Sequence, residues 1–257
     1  MFPRATGRTI ERARAAAAAV AVSLAPVSAV ADACAPVTHE GRGHVVCTVG
    51  ADADLRLWLR DPEGRVWGGF GRLATALAAQ GEGLVFAMNA GMYHADRTPV
   101  GLFLGADGEV EGRLVTAAGP GNFGMLPNGV FCVLDQGFAV VESRAFAADP
   151  PACRQASQSG PMLVIEGALH PRFLEQSSSR FVRNGVGVSA DGGTAHFVIS
   201  DTPVTFHEFA RLFRDVLGVP QALYFDGNVS RLHAPGLTRS DRGRMLGPII
   251  GLVVPEE

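Results

Sequence analysis

Four polar side chains stand where an apolar segment runs into a glycine- or proline-marked turn. They are Asn89 in Met88-Asn89-Ala90-Gly91-Met92-Tyr93, Arg183 in Phe181-Val182-Arg183-Asn184-Gly185-Val186-Gly187, Asp201 before Thr202-Pro203, and Asp226 in Leu223-Tyr224-Phe225-Asp226-Gly227-Asn228-Val229-Ser230. A fifth such turn, Ser159-Gly160-Pro161-Met162, precedes an apolar run. An amide, a guanidinium and carboxylates can hold an anion and move a proton or activate water. An arginine in an otherwise apolar strand must snorkel outward or meet an anion, because an unpaired buried charge is costly. Taken singly, Asn-x-Gly and Asp-Gly are ordinary turn formers, and a lone arginine pairs at a surface; the combination is what points to a site. Other chemistries fail on spacing. His207-Glu208 begins a zinc-protease motif, but position 211 is Arg and the second ligand is missing. Gln158-Ser159-Gly160 lacks the preceding glycine of a nucleophile elbow. All 22 basic residues are arginine, so no lysine exists for a Schiff base or a P-loop.

The elements that must position these groups are mostly strands. Gly and Pro punctuate the chain, and between them lie short β-rich runs: 44–49, 55–60, 84–88, 130–134, 162–165 and 195–200. Leu55, Leu57 and Leu59 alternate with Arg56, Trp58 and Arg60, which predicts one buried face. Two helices are expected. One is roughly 72–80, stopped by Gly81. The other starts at Thr205 and Glu208, which have capping-box spacing, carries Phe206, Phe209, Ala210, Phe213, Val216 and Leu217 on one face, and ends at Gly218 and Pro220. With strands on either side, residues 196–225 read as a βαβ unit with parallel strands. Asp201 and Asp226 then lie just past the C-terminal ends of parallel strands, the sheet edge where ligands bind. On neighbouring strands the two carboxylates stand about 5 Å apart at their bases, and there one pKa rises or a divalent cation settles between them. No cofactor is required by the sequence.

The chain opens with arginines (Arg4, Arg8, Arg12, Arg14), an apolar run from Ala15 to Leu24 and small residues from Val27 to Ala33, the order of a secretory signal. The run is about ten residues, against roughly 20 for a membrane-crossing helix. The expectation is a leader over residues 1–31, cleaved after Ala31, and a mature domain over 34–257 with no membrane span. The formal charge of −3 gives no nucleic-acid surface. Four cysteines in an exported chain predict disulfides. The two sequence-near pairs, Cys34 with Cys47 and Cys132 with Cys153, are preferred over a zinc site, since no CxxC is present.

In order, these segments resemble the phosphodiester glycosidase family. Members show an Asn-Gly-Gly-aromatic turn, a Pro-x-Gly strand, a Gly-Pro-Leu-like strand, an Arg-Thr-Ala-x-Gly strand, a Thr-Leu-x-Glu-Leu-Ala-like helix and an Asp-Gly-Gly-Gly-Ser loop. The counterparts are Asn89–Tyr93, Pro99-Val100-Gly101, Gly160-Pro161-Met162-Leu163, Arg183–Gly187, the helix from Thr205-Phe206, and Asp226–Ser230. Ala90 stands for the first family glycine, Asn184 for the usual threonine, and Asn228-Val229 interrupts the closing glycine run, which stiffens that loop. The resemblance spans residues ~45 to 254. It implies an α+β domain of curved mixed sheet with a few helices, and an exported hydrolase that frees a sugar from a glycosyl phosphodiester on an envelope or extracellular glycan. It further implies that Arg183 clamps the phosphate, Asp226 acts at the anomeric carbon or on water, Asn89 orients an oxygen and Asp201 assists. Gly91, Tyr93, Ser159, Gly160, Asn184, Gly227, Asn228 and Ser230 are then substrate-binding. A non-catalytic carbohydrate-binding accessory and a P–O-cleaving phosphodiesterase are the alternative readings of the same residues.

Overall fold

The computed structural model describes Met1 and residues 33–256; the expected leader lies outside the described residues. The fold is α+β, with three sheets. The first has seven strands in the order β1 (Cys34–His39), β2 (Arg42–Gly50), β13 (Thr194–Ser200), β12 (Asn184–Val188), β14 (Gln221–Asp226), β10 (Met162–Ile165) and β11 (Ala168–Leu169). The second has β16 (Arg239–Ser240), β15 (Leu232–Ala234), β4 (Glu82–Asn89), β17 (Ile249–Pro255) and β3 (Asp54–Trp58). The third has β6 (Val110–Glu111), β5 (Phe103–Leu104), β9 (Gln155–Ser159), β7 (Gly129–Val133) and β8 (Phe138–Glu142).

Alternation along the strands builds two cores. Val45, Cys47, Phe197, Ile199, Leu223 and Phe225 face inward with Leu57, Phe86, Met88 and Phe131 of the other sheets. Their neighbours Val46, Val198, Ala222 and Tyr224 face the opposite way, onto Phe209, Ala210, Leu212 and Phe213. The period of two thus places Tyr224 on the helix-facing side and aims Asp226, two residues on, along the same face. Leu55, Leu57 and Leu59 are buried as their spacing predicts.

Helix α1 spans Phe70–Ala78 and α3 spans Phe206–Arg211, continuing as a π-helical turn over Leu212–Val216. The capping box is formed: Glu208 N donates to Thr205 Oγ1 (3.1 Å) and Thr205 N donates to Glu208 Oε2 (2.9 Å). A third helix, α2 (Ser143–Ala148), carries no hydrophobic periodicity long enough to announce itself; Glu142 caps it through the Arg144 and Ala145 amides.

The crossover from β13 through α3 to β14 differs from expectation in one respect. β13 and β14 do run parallel, but each pairs antiparallel with β12, which lies between them. Every strand pairing among the described residues is antiparallel. Asp201 and Asp226 are therefore separated by two strand spacings, about 10 Å at their bases, and not one. Gly187 on β12 makes the helix packing feasible, since a Cβ there would lie 2.7 Å from Val219 Cγ2 and 2.8 Å from Phe213 Cδ1. Both disulfides are formed as the spacing predicts, Cys34–Cys47 and Cys132–Cys153. No helix among the described residues is long and apolar enough to cross a membrane.

Candidate active site

β14 ends on Asp226, and the chain then turns sharply through Gly227 and Asn228. The turn is held by the acid itself: Asp226 Oδ1 accepts from the backbone N–H of Gly227 (2.5 Å) and Asn228 (2.6 Å). Both bonds fall on Oδ1, and Oδ2 takes none among the described residues. Burial pushes the Asp226 carboxyl above the ordinary carboxylate range, while the amides of Asn228, Gly227 and Val229 oppose that shift. Asp226 lines a cleft of about 490 Å³ whose other walls include Met92, Tyr93, Asn122, Phe123, Phe181 and Tyr224. Gly227 is a close-approach position: a Cβ there would overlap the Tyr224 hydroxyl.

Arg183 stands behind this cleft and not in it. Its side chain is fully buried, where Nε donates to Val204 O (2.9 Å), Nη1 to Tyr224 Oη (3.1 Å) and Nη2 to Ser179 O (3.2 Å). The guanidinium stacks on Phe206 at 3.7 Å, with Phe181 and Tyr224 at 5.3 and 5.4 Å. Burial lowers its pKa, opposed by Tyr224. The clamp expected of Arg183 is thus not a direct one: its hydrogen-bonding fork is spent on two carbonyls and on a phenol of the cleft wall. Neither sequence alternative, outward snorkelling or anion capture, describes it; main-chain carbonyls and aromatic faces solvate the charge instead.

Asn89 is likewise buried. Its Nδ2 donates to Asn184 Oδ1 (3.1 Å), its Oδ1 accepts from Arg231 N (3.0 Å), and its carbonyl accepts from Asn184 Nδ2 (2.7 Å). Ser230 Oγ donates to Asn184 Oδ1 (3.0 Å) and approaches Asp226 O at 2.9 Å. Asn89, Asn184 and Ser230 therefore tie β4, β12 and the loop after Asp226 together. Ser159 Oγ donates to Phe225 O (3.0 Å), bracing β14 from the third sheet. Gly91 has φ +136° and packs on Ser157, and Gly160 begins a cis Gly160–Pro161 bond beside Asn128. Asp201 is placed elsewhere: it is exposed, pairs with Arg239 Nη1 (2.8 Å) and donates its backbone N–H to Gly43 O. The expected carboxylate pair is not assembled, and among the described residues no group of three His, Cys, Asp or Glu could hold a metal.

The sequence profile of the phosphodiester glycosidase family matches residues 82–237, which include Asn89, Arg183 and Asp226. The chain belongs to the phosphodiester glycosidase family. An uncharacterised protein of Escherichia coli (strain K12), YigE, is 34% identical over 182 residues, covering 71% of this chain and 70% of the relative. The solved catalytic domain of zebrafish N-acetylglucosamine-1-phosphodiester alpha-N-acetylglucosaminidase, auto-inhibited by pro-peptide, superposes with a TM-score of 0.57 at 12% identity, covering 85% of this chain and 81% of that one. That likeness is one of fold.

Of the residues expected to meet substrate in this family member, Tyr93, Asp226, Gly227 and Asn228 line the cleft. Sequence reasoning missed Tyr224, Phe181 and the Pro120–Phe123 wall. Tyr224 was hidden inside an apolar strand, and its signal was the alternation that sets it on the Asp226 face. Residues 120–123 are a Pro-Gly-Asn turn far from any strand, with no spacing that ties them to Asp226. Both tyrosines of the chain stand at this one cleft. Tyr93 Oη donates to Met245 O (3.1 Å); burial and then Asp226 raise its pKa, against Arg97, Arg231 and Arg244.

Proposed function

We propose that this protein hydrolyses a glycosyl phosphodiester outside the cytoplasm, freeing the sugar from a phosphate-linked aglycone. The observation that carries the reading is the buried carboxylate at the end of β14, fixed through Oδ1 with Oδ2 left for a cleft of sugar size. Met92, Val100, Phe123 and Phe181 offer apolar faces for the ring, and Asn122, Asn228 and the two phenols offer partners for its hydroxyls. A phosphodiester leaves as a stabilised anion, so the reaction needs little proton donation, and one carboxylate suffices where ordinary glycosidases use two. Water attacks the anomeric carbon and Asp226 takes its proton. The bond from that carbon to the phosphate oxygen breaks, and its electron pair leaves with the phosphomonoester. A carboxyl pKa above the usual range suits a general base. Two disulfides, with no free cysteine among the described residues, support action in an oxidising compartment.

The test is incubation with a sugar phosphodiester in ¹⁸O-labelled water. The reading requires label in the released sugar and none in the phosphate, with turnover lost in Asp226→Asn. Label in phosphate points to P–O cleavage. Binding without turnover, seen in the resonances of isotope-labelled Tyr93 and Tyr224, points to a non-catalytic receptor.

A further inference from the structure

Beside the cleft lies a second, polar pocket of about 400 Å³, lined by Asn228, Val229, Ser230, Arg231, Arg242, Gly243 and Arg244. Asn228 borders both pockets, so the turn after Asp226 is a shared wall. Among the described residues, none of these three arginines has a carboxylate within salt-bridge distance. Asp241, the sequence neighbour of Arg242, is held by Arg239 Nη2 at 3.0 Å. Several arginines elsewhere are paired: Arg42 and Arg180 hold Glu208, Arg56 holds Asp54 and Glu82, and Arg60 holds Glu109 and Glu111.

Arg231 is the decisive member. Its side chain is buried, an Nη2 donor goes to the Arg244 carbonyl, and its guanidinium lies along Gly243, where a Cβ would stand 3.4 Å from Nη1. A Cβ at Gly243 would meet the Arg231 side chain only at the 3.4–3.5 Å of ordinary contact, so the chain passes over the guanidinium without crowding it. Burial lowers the Arg231 pKa, opposed by Tyr93 and Asp241. Three guanidinium groups thus line one pocket without a carboxylate in salt-bridge contact, and the burial of Arg231 carries a desolvation cost. A phosphoryl group offers several anionic oxygens that match guanidinium forks.

We propose that Arg231, Arg242 and Arg244 form the phosphate subsite, across the Asp226 turn from the sugar cleft. This rests on the glycosyl phosphodiester reading and moves its phosphate contact from Arg183 to a different arginine set. The sugar then sits on the Tyr93 and Tyr224 side of Asn228 and the phosphoryl group on the other, so the bond to be cut crosses the turn that carries Asp226.

The probe is inorganic phosphate, followed by titration calorimetry at low salt with the wild type, Asp226→Asn and the double variant Arg242→Gln/Arg244→Gln. Both arginines are exposed, and unchanged thermal unfolding of the double variant confirms its fold. Expected are binding by wild type and Asp226→Asn, and at least a tenfold loss in the double variant, with a matching rise in KM for a sugar phosphodiester and a smaller change in kcat. Equal phosphate affinity in wild type and double variant, or no wild-type binding in the millimolar range, overturns the subsite. The two readings fail separately: phosphate binding lost only in the double variant stands even if no sugar phosphodiester is turned over, and turnover with unchanged KM in the double variant sinks the subsite alone.

Discussion

Replacing Arg183 by methionine separates a ligand-holding arginine from one that holds the cleft wall. The guanidinium makes three hydrogen bonds, to Val204 O, Tyr224 Oη and Ser179 O, and stacks on Phe206. Bonds from a charged donor are each worth about 1.5–3 kcal/mol. Val204 O is not stranded by the change, since it also accepts from Phe181 N at 3.1 Å. Two acceptors lose their donor, Ser179 O and Tyr224 Oη, at about 1–3 kcal/mol each. Removing a desolvated cation returns part of that cost, and methionine fills much of the volume. The net expectation is a loss of about 3 kcal/mol, or about 6–12 °C in Tm at the 2–4 °C per kcal/mol of a domain this size. Urea unfolding followed by circular dichroism gives the first figure and thermal unfolding the second. Activity should fall through kcat, because Tyr224 loses its anchor. An unchanged Tm combined with a large rise in KM for a sugar phosphodiester would refute the reasoning, since that is how a direct phosphate ligand behaves.

Other outcomes follow from the same geometry. Asp226→Asn should abolish turnover and stabilise the fold at neutral pH. The native carboxyl titrates above its ordinary value, so its stability contribution is greatest when protonated and declines as pH rises from the unfolded pKa through the folded one; urea midpoints from pH 4 to 8 should lose that slope in the variant. For the same reason kcat/KM should rise with pH on an acid limb set above the usual carboxylate range. Gly227→Ala puts a methyl onto the Tyr224 hydroxyl and should cost about 1–3 kcal/mol with most of the activity, whereas Gly71→Ala in α1, where a Cβ meets nothing within 4 Å, leaves activity intact. For Glu208, burial pushes the carboxyl up, but Arg180, the Thr205 amide and Arg42 outweigh it and hold the pKa at about 2. Its stabilisation is present above the unfolded value and lost as pH falls toward about 2, so Glu208→Gln should flatten acid unfolding curves over that window.

Much of the fold was legible because it is written in local patterns. Leu55, Leu57 and Leu59 announce a half-buried strand, Thr205 with Glu208 announces a helix start, and the cysteine spacing announces both bridges. Strand order was not legible: the placing of β12 between β13 and β14 is decided by pairings far apart in sequence, such as Asn184 with Ile199 on one side and with Asp226 on the other. Asp226 could be picked out only in combination, because Asp-Gly alone is an ordinary turn and it was the company of the Asn89 and Arg183 turns that pointed to it. The surroundings of Arg183 could not, because its aromatic cage comes from Phe181, Phe206 and Tyr224, on three separate segments. Nor could the split between residues that line the cleft and those, like Asn89 and Asn184, that brace it from behind, since both kinds carry the same amide.

Cys34 stands opposite Cys47 in the β1–β2 ladder, so this covalent bond lies inside the seven-stranded sheet and not across an open loop. One margin of the sheet is thereby sewn shut and cannot peel. Fraying has to start from the far margin, the two-residue strand Ala168–Leu169, and reaches β14 after passing only β10. Amide exchange into heavy water should accordingly run in from that side, leaving the half-sheet that bears Asp226 the more mobile and the stitched half the last to open.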